Sequence, residues 1–337
     1  MPSKCLIDKS DKLIFGSGGS QAIIVITKDK RVYKIFTIHY QTSDDAKHYI
    51  NNQKKYILNE INIGKSITKN IIDKNISHHI IKYLGYNTCN NAKILFKSCP
   101  SFVEYMNTSK YNNLCAPLYY NTPYGKLVDK YYVLQTEYCD SSCKDFLIYI
   151  SKLKYNKLKY YLDIFLFQMI YTIVSIQKIY PYYSHNDMFV RNILGNKLKH
   201  TNKFYRYTYG NKVFDIPQDY FYPKIIDFGY ANLEKKSSQK YNTIDQFNLL
   251  YDIYNGNNLG STSLMKLCSK AKQLDIRKYF NNFFNVKQVD KLIKYKKSIF
   301  DWNWNILHDK EVSNLIAMKT PEYLMNNYFD KLFLYDD

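Results

Sequence analysis

Apolar and β-branched residues come in short runs through the first hundred positions and at helical spacing later. Leu13 to Phe15 reads as a strand entering a Gly-Ser turn. Ala22 to Ile26 and Arg31 to Phe36 are two more strands, joined as a hairpin at Lys28-Asp29-Lys30. Ala46 to Ile72 has helical spacing, with Ile57, Ile61, Ile63 and Ile67 towards one side. Ile80 to Leu84 is strand-like. Residues 86–128 are Asn-, Tyr- and Lys-rich without a clean period, which predicts loop with short elements. Tyr131 to Thr136 is a strand, and Lys157 to Tyr180 carries a long helical pattern. Helices are expected over Ile244 to Ile253, Leu264 to Ala271 and Ser313 to Ile316. Thr320-Pro321-Glu322 marks a helix start, with Pro in the first turn. Trp302 and Trp304 read as core packing.

The pattern is sheet-rich first and helix-rich after a boundary near Tyr138. No internal repeat and no Pro/Gly-rich linker separates the parts, so a single bilobal α+β unit is expected. A hydrophobic share of 46% is enough to bury a sizeable core and argues against disorder. The 36 tyrosines accompany many Lys, Asn and Ile residues, all served by AT-rich codons, so genome composition is the simplest source of the bias. The net charge of +19 favours acidic partners: nucleotides, acidic protein segments, nucleic acid or anionic lipid. The lysines are scattered, however, and no nucleic-acid-binding motif accompanies them.

Seven cysteines, Cys5, Cys89, Cys99, Cys115, Cys139, Cys143 and Cys268, include no C-x-x-C pair and complete no zinc set. Reduced thiols and a cytoplasmic setting are expected. Met1 to Ser10 is charged and lacks a signal-peptide core. Ile164 to Ile176 is apolar but short of the ~20 residues of a membrane span, so it reads as a buried helix.

Five stretches carry chemistry suited to phosphoryl transfer, which needs backbone donors over phosphates, a cation, metal ligands and a group orienting the acceptor. Gly16-Ser17-Gly18-Gly19-Ser20 lies between two strands, where missing Cβ atoms let the chain approach phosphates. A third glycine at G-x-G-x-x-G spacing is absent, since Gln21 stands there. Lys34, in Arg31-Val32-Tyr33-Lys34, is a strand lysine able to reach phosphates. Glu60 sits among apolar helix neighbours that turn it inward, where it would hold Lys34 extended. His185-Asn186-Asp187 is followed by Asn192 at fixed spacing. Asp187 can accept a hydrogen bond from an attacking hydroxyl, and Asn192 can offer a carbonyl oxygen to Mg²⁺. Lys224-Ile225-Ile226 is a buried strand ending in Asp227-Phe228-Gly229, where Asp227 would ligate the Mg²⁺ on the ATP phosphates.

In this order, from about Leu13 to Asp245, the motifs resemble the protein-kinase superfamily, with H-x-D-x-x-x-x-N and D-F-G carrying most of the weight. The resemblance implies a bilobal kinase-like α+β fold. Residues 1–137 would form the β-rich N-lobe and 138–337 the helical C-lobe. It implies that Phe15, Gly16, Ser17, Gly18, Gly19, Ser20, Gln21, Ala22 and Ile23 cover ATP, with Ile23 and Val32 against the adenine. Thr136 would be the gatekeeper, and Glu137 to Cys139 the hinge. Asp245 would brace the catalytic loop. ATP with Mg²⁺ (or Mn²⁺) are the implied cofactors, and a protein Ser/Thr hydroxyl the implied acceptor, with Tyr left open.

Departures from the pattern narrow the resemblance. Asn186 stands where arginine is usual, which implies activity not gated by a phosphate on the activation loop. Phe189 replaces the lysine usual in serine/threonine kinases, and Arg191 could supply the missing cation. Asn192 and Asp227 are unusually far apart, and the insert, about 197–223, reads as a hairpin of Tyr205 to Tyr209 and Lys212 to Ile216 about Gly210-Asn211. No A-P-E follows Gly229. These features are similar to haspin-like kinases and to divergent kinases of large DNA viruses, which would place the protein in a host cytoplasm or a virion. Two other readings stay open: a small-molecule kinase of the aminoglycoside or choline type, and a kinase-like scaffold holding an acidic partner or nucleic acid.

Overall fold

The computed structural model describes residues 14–15, 22–40, 46–90, 126–199, 203–234, 244–256, 262–295 and 319–333. The Gly16 to Gln21 loop, most of 86–128, the Ser313 to Ile316 helix and the two tryptophans lie outside them. The architecture is mixed α+β, with a sheet first and helices after. The chain divides into two compact units. One comprises 1–68, 81–138 and 228–230, and the other 69–80, 139–227 and 231–337.

The first unit is a five-stranded antiparallel sheet of order β1-β2-β3-β5-β4 with one long helix. Its strands are β1 (Ile14–Phe15), β2 (Ile23–Ile26), β3 (Val32–Tyr40), β4 (Tyr83–Cys89) and β5 (Lys126–Thr136). β2 and β3 are joined at the predicted turn, where Lys30 takes φ 62° and its N–H bonds to the Thr27 carbonyl at 2.9 Å. Helix α1 (Ala46–Ile67) buries Ile57, Ile61, Ile63 and Ile67, the four isoleucines its spacing assigns to one side. The strand expected from Ile80 begins later. Ile80 makes an isolated bridge to Ile225, and β4 starts at Tyr83.

The second unit is built around α3 (Tyr155–Ile179), which follows α2 (Cys143–Ser151). From Leu162 to Gln177 every α3 residue is buried, so this stretch of the helix has no solvent face. Among the described residues it is the one helix long and apolar enough to cross a membrane, and 89% of that stretch is buried in the protein itself. A three-stranded sheet of β10 (Phe221–Ile225), β7 (Ile193–Lys197) and β6 (Ser141–Ser142) carries the loop ahead of it. Between β7 and β10 in sequence, β8 (Phe204–Tyr209) and β9 (Lys212–Pro217) pair about Gly210, φ 64°, as the alternation places them. Tyr207 on the hairpin's inner face bonds to the fully buried His79 at 2.6 Å. The other ring nitrogen of His79 lies 2.9 Å from the Pro223 carbonyl, and burial pulls the imidazole down to about 3, so it is neutral.

The helix expected over Leu264 to Ala271 is two helices, α5 (Leu264–Leu267) and α6 (Lys270–Phe280), broken at Cys268 and Ser269. Both break residues are extended, and Ser263 caps the first helix through the Lys266 N–H. Helix α4 (Ile244–Tyr254) lies where its spacing puts it, and Thr320 caps a C-terminal helix with Pro321 in its first turn. Cys139, Cys143 and Cys268 are free thiols, whereas Cys89 is disulfide-bonded. The expectation of reduced thiols throughout therefore fails at Cys89, because spacing along a chain does not show which cysteines folding brings together.

Candidate active site

In the first unit, β3 alternates so that Tyr33 and Ile35 enter the core while Lys34 lies on the other face. Its Nζ sits 2.9 Å from both carboxylate oxygens of Glu60. The Glu60 side chain is 2% exposed and the Lys34 side chain 15%. A buried carboxylate without a cation would be costly, so the pair fixes both side chains. The Tyr83 hydroxyl adds a donor to Glu60 Oε1 at 3.3 Å. Val32 of β3 stands opposite Thr136 of β5. Just beyond, Glu137 folds back on the residue ahead of β4: its Oε1 accepts from the Lys82 N–H at 2.6 Å, and its own N–H bonds to the Lys82 carbonyl at 3.1 Å. Phe15 and Ile23 pair with Val25 and Ile35 in the sheet, and Ala22 is half-buried.

Phe228 and Gly229 belong to this unit too. Phe228 is fully buried with its ring 6.2 Å from that of Tyr83, and Asn59, beside Glu60, donates to the Gly229 carbonyl at 2.9 Å. A Cβ on Gly229 would stand 2.0 Å from the Tyr56 ring, so any larger residue would have to displace that ring.

In the second unit the His185-to-Asn192 loop is pinned from several sides. Asp245, on the first turn of α4, accepts from the His185 and Asn186 N–H groups at 2.6 and 2.9 Å. Asn186 takes φ 61°, a left-handed conformation that these two bonds hold in place. His185 Nε2 donates to the Ile226 carbonyl at 2.9 Å, and the Ile226 N–H returns a bond to the Asn192 carbonyl at 3.0 Å. The loop and the strand carrying Asp227 are thus fastened to each other. Asn192 Nδ2 donates to both the backbone carbonyl and Oδ2 of Asp187, each at 2.7 Å. With its amide nitrogen committed, Asn192 presents Oδ1 as its remaining acceptor. Asp227 takes φ 67°, the other strained residue of the loop region.

Arg191 pairs with Asp187 Oδ1 at 2.5 Å, with its guanidinium 4.6 Å from the centre of the Phe189 ring. The Asp187 carboxyl is nonetheless pushed up to about 6, because burial outweighs Arg191 and the Asn192 bond, and Asp227 adds like charge. Burial likewise raises Asp245 to about 6 against the two backbone donors.

Asn192 and Asp227 offer only oxygen to a cation, which suits Mg²⁺. Among the described residues no group of three or more His, Cys, Asp or Glu forms an all-protein metal cage. Mg²⁺ bound with a nucleotide needs none, because waters and phosphates complete its shell.

Every predicted residue among those described has a definite place. Lys34 and Glu60 are brought together, and so are Asp187 and Asn192. Cys139 is a half-buried free thiol, and Gly16 to Gln21 lie outside the described residues. Three contributors escaped the sequence reading. Asp252 Oδ2 accepts the buried Val190 N–H at 2.8 Å. It lies seven residues after Asp245, two turns along the same helix face, so the spacing itself was a usable signal. Asn59 and Tyr83 gave no such signal, because only the fold brings them to Gly229 and Glu60.

No protein-family model matches the chain. Two relatives do, both from Acanthamoeba polyphaga mimivirus. The first, named "Putative serine/threonine-protein kinase R301", is 28% identical over 359 aligned positions, covering 94% of this chain and 87% of the relative. The second, named "Putative serine/threonine-protein kinase R400", is 31% identical over 156 positions, covering 40% of this chain and 33% of the relative. Similarity along nearly the whole chain supports a divergent protein kinase of the viral type, in line with the resemblance read from the motifs.

Proposed function

We propose that this chain is an ATP- and Mg²⁺-dependent protein kinase that transfers the γ-phosphoryl group to a Ser or Thr hydroxyl of a protein. The observation that carries the reading is the Asp187–Asn192 pair. One amide fixes the carboxylate, and the loop holding both is braced by Asp245 and Asp252. A carboxylate held by its neighbours costs little reorganisation when a hydroxyl arrives. The names of the viral relatives point to the same class of reaction.

In this mechanism Lys34 holds the α- and β-phosphates, and Glu60 keeps Lys34 extended. Asn192 and Asp227 would hold Mg²⁺, which would neutralise phosphate charge there. Asp187 accepts a hydrogen bond from the acceptor hydroxyl and aims its oxygen in line with the γ-phosphorus. Its carboxyl, at about 6, is ionised at neutral pH and close enough to neutrality to take a proton as the new bond forms. Arg191, already on Asp187, supplies a cation near the acceptor in place of the lysine that Phe189 replaces. Val32, Thr136, the Glu137 carbonyl and the Cys139 backbone are the adenine contacts of this reading; Gly16 to Gln21, which the resemblance assigns to ATP, lie outside the described residues.

The test is transfer from labelled ATP to casein, histone or the protein itself, with Mg²⁺ or Mn²⁺. Amino alcohols and sugars serve as competing acceptors. Labelled phosphoserine or phosphothreonine above an Asp187→Ala control is expected. No transfer above that control refutes the proposal, and a saturable small-molecule acceptor replaces it with a small-molecule kinase.

A further inference from the structure

We infer that Tyr83 is a positioning residue: its hydroxyl holds Glu60 against Lys34, and its ring, admitted by Gly64, ties that pair to the seat of Phe228. The inference rests on the kinase reading above and extends it to a side chain with no chemistry of its own.

Four contacts converge on this tyrosine. Its hydroxyl donates to Glu60 Oε1, the oxygen that also bonds Lys34. Its ring lies 6.2 Å from that of Phe228, at an interplanar angle of 58°. Its N–H bonds to Thr68 Oγ1 at 3.1 Å, which fixes where β4 begins relative to the end of α1. The fourth contact is a space. Gly64 lies one turn after Glu60, on the same helix face. A Cβ there would stand 2.2 Å from Tyr83 Cε1, so the ring occupies the volume a side chain would take.

Packing alone does not account for a tyrosine here. Phenylalanine would fill the same volume without a polar atom, and a buried hydroxyl needs a partner. Its partner is the carboxylate that holds Lys34. Glu60 is 1% exposed, so a second donor on Oε1 restricts it to the rotamer that meets Lys34 with both oxygens. Any shift of Phe228 presses on the ring whose hydroxyl holds Glu60. The Lys34–Glu60 pair and the seat of Phe228 therefore form together.

The test is a double-mutant cycle of Tyr83→Phe and Glu60→Gln in the full chain. It is read both as ATP affinity with kcat/KM and as unfolding midpoint in denaturant. Tyr83→Phe keeps the ring, so the protein is expected to fold. A fall of about ten- to hundredfold in kcat/KM is expected, the scale of one hydrogen bond to a charged group. That fall is expected to shrink to twofold or less in the Glu60→Gln background, which a merely structural tyrosine would not show. A Tyr83→Phe enzyme equal to wild type, or equal losses in both backgrounds, overturns the inference. If wild type neither binds ATP nor transfers phosphate, the kinase reading fails separately. The stability cycle then decides the contact: coupling upholds it and additivity overturns it. Gly64→Ala supplies a second arm, with loss of stability expected and recovery expected in Gly64→Ala/Tyr83→Leu.

Discussion

Asp187→Asn should make the protein more stable at neutral pH while abolishing phosphate transfer. Burial raises the Asp187 carboxyl from 3.8 to about 6, and its side chain is 13% exposed in the fold. Above pH 6 the ionised form is disfavoured in the fold relative to the unfolded chain. The move corresponds to about 3 kcal/mol, at 1.36 kcal/mol for each pH unit. Asparagine has the shape of the protonated acid and can still accept from Asn192 Nδ2, so it escapes this cost. Lost attraction to the half-exposed Arg191 is already included in the balance, and incomplete relaxation reduces the gain to about 1–3 kcal/mol. The sign follows from linkage. A raised carboxyl contributes stability that is fully present below pH 3.8 and lost as pH rises through about 6. The advantage of the asparagine variant should therefore be largest above pH 6 and fade towards pH 3.8. Thermal or denaturant unfolding of both proteins between pH 4.5 and 8 measures it as a difference, so most shared titrations cancel. Transfer should fall about 10²- to 10⁴-fold. A variant less stable than wild type at pH 7.5, a pH-independent difference, or turnover above a tenth of wild type would refute the reasoning.

Three further outcomes follow from the same contacts. The log of kcat/KM should bend downward below pH 6 with unit slope, the ionised fraction falling from about 0.9 at pH 7 to about 0.1 at pH 5. Arg191→Gln should move that bend to higher pH because it removes the charge that lowers Asp187, and a flat profile from pH 5 to 8 contradicts the assignment. Lys34→Met leaves Glu60 buried without its cation and should cost about 3–5 kcal/mol of stability as well as ATP binding. Adding Glu60→Gln should recover the stability but not the binding, as read by unfolding and nucleotide titration. Asp163→Ala removes the acceptor for Lys159 Nζ and the hydroxyls of Tyr279 and Tyr328, and should cost about 3 kcal/mol. Hydrogen exchange of residues 321–333 should speed up, and unchanged protection there would show that Tyr328 is not what holds that segment.

The sequence revealed most where a feature is local. Periodicity located α1, α3 and α4, and alternation around Gly210-Asn211 located the β8–β9 hairpin, because the facing of neighbouring side chains is written in spacing. Glu60, Asp187, Asn192 and Asp227 stood out as polar groups among apolar neighbours, whereas Lys34 was one lysine among many until Glu60 and the order of the motifs singled it out. What stayed hidden depends on contacts between distant segments. The break at Cys268 and Ser269 follows from packing that helical spacing does not encode. The bond from Asn59 to Gly229 joins positions 170 apart. The hydroxyl of Tyr83 has no signature among 36 tyrosines, and Gly64 reads in sequence as a weak helix residue rather than as room for a ring.

The abundance of tyrosine deserves a physical account beyond codon usage. Codon bias explains how a tyrosine arrives, but a buried hydroxyl is costly unless something bonds it, and among the described residues the buried Tyr183 hydroxyl goes without a partner. For the tyrosines that follow the partners are polar side chains, buried at Glu60, His79 and Asp163 and half-buried at Asp290. Tyr83 meets Glu60, Tyr207 meets His79, Tyr279 and Tyr328 both meet Asp163, and Tyr254 meets Asp290. Each bond satisfies two groups that would otherwise be costly inside the fold, and most join segments far apart in sequence. Replacing such a tyrosine with phenylalanine keeps the volume but strands its partner, so the loss should follow the partner's charge: larger at Glu60 and Asp163 than at neutral His79. A composition that looks like genomic drift is thus used as a set of polar fasteners, one of which reaches the carboxylate that holds Lys34.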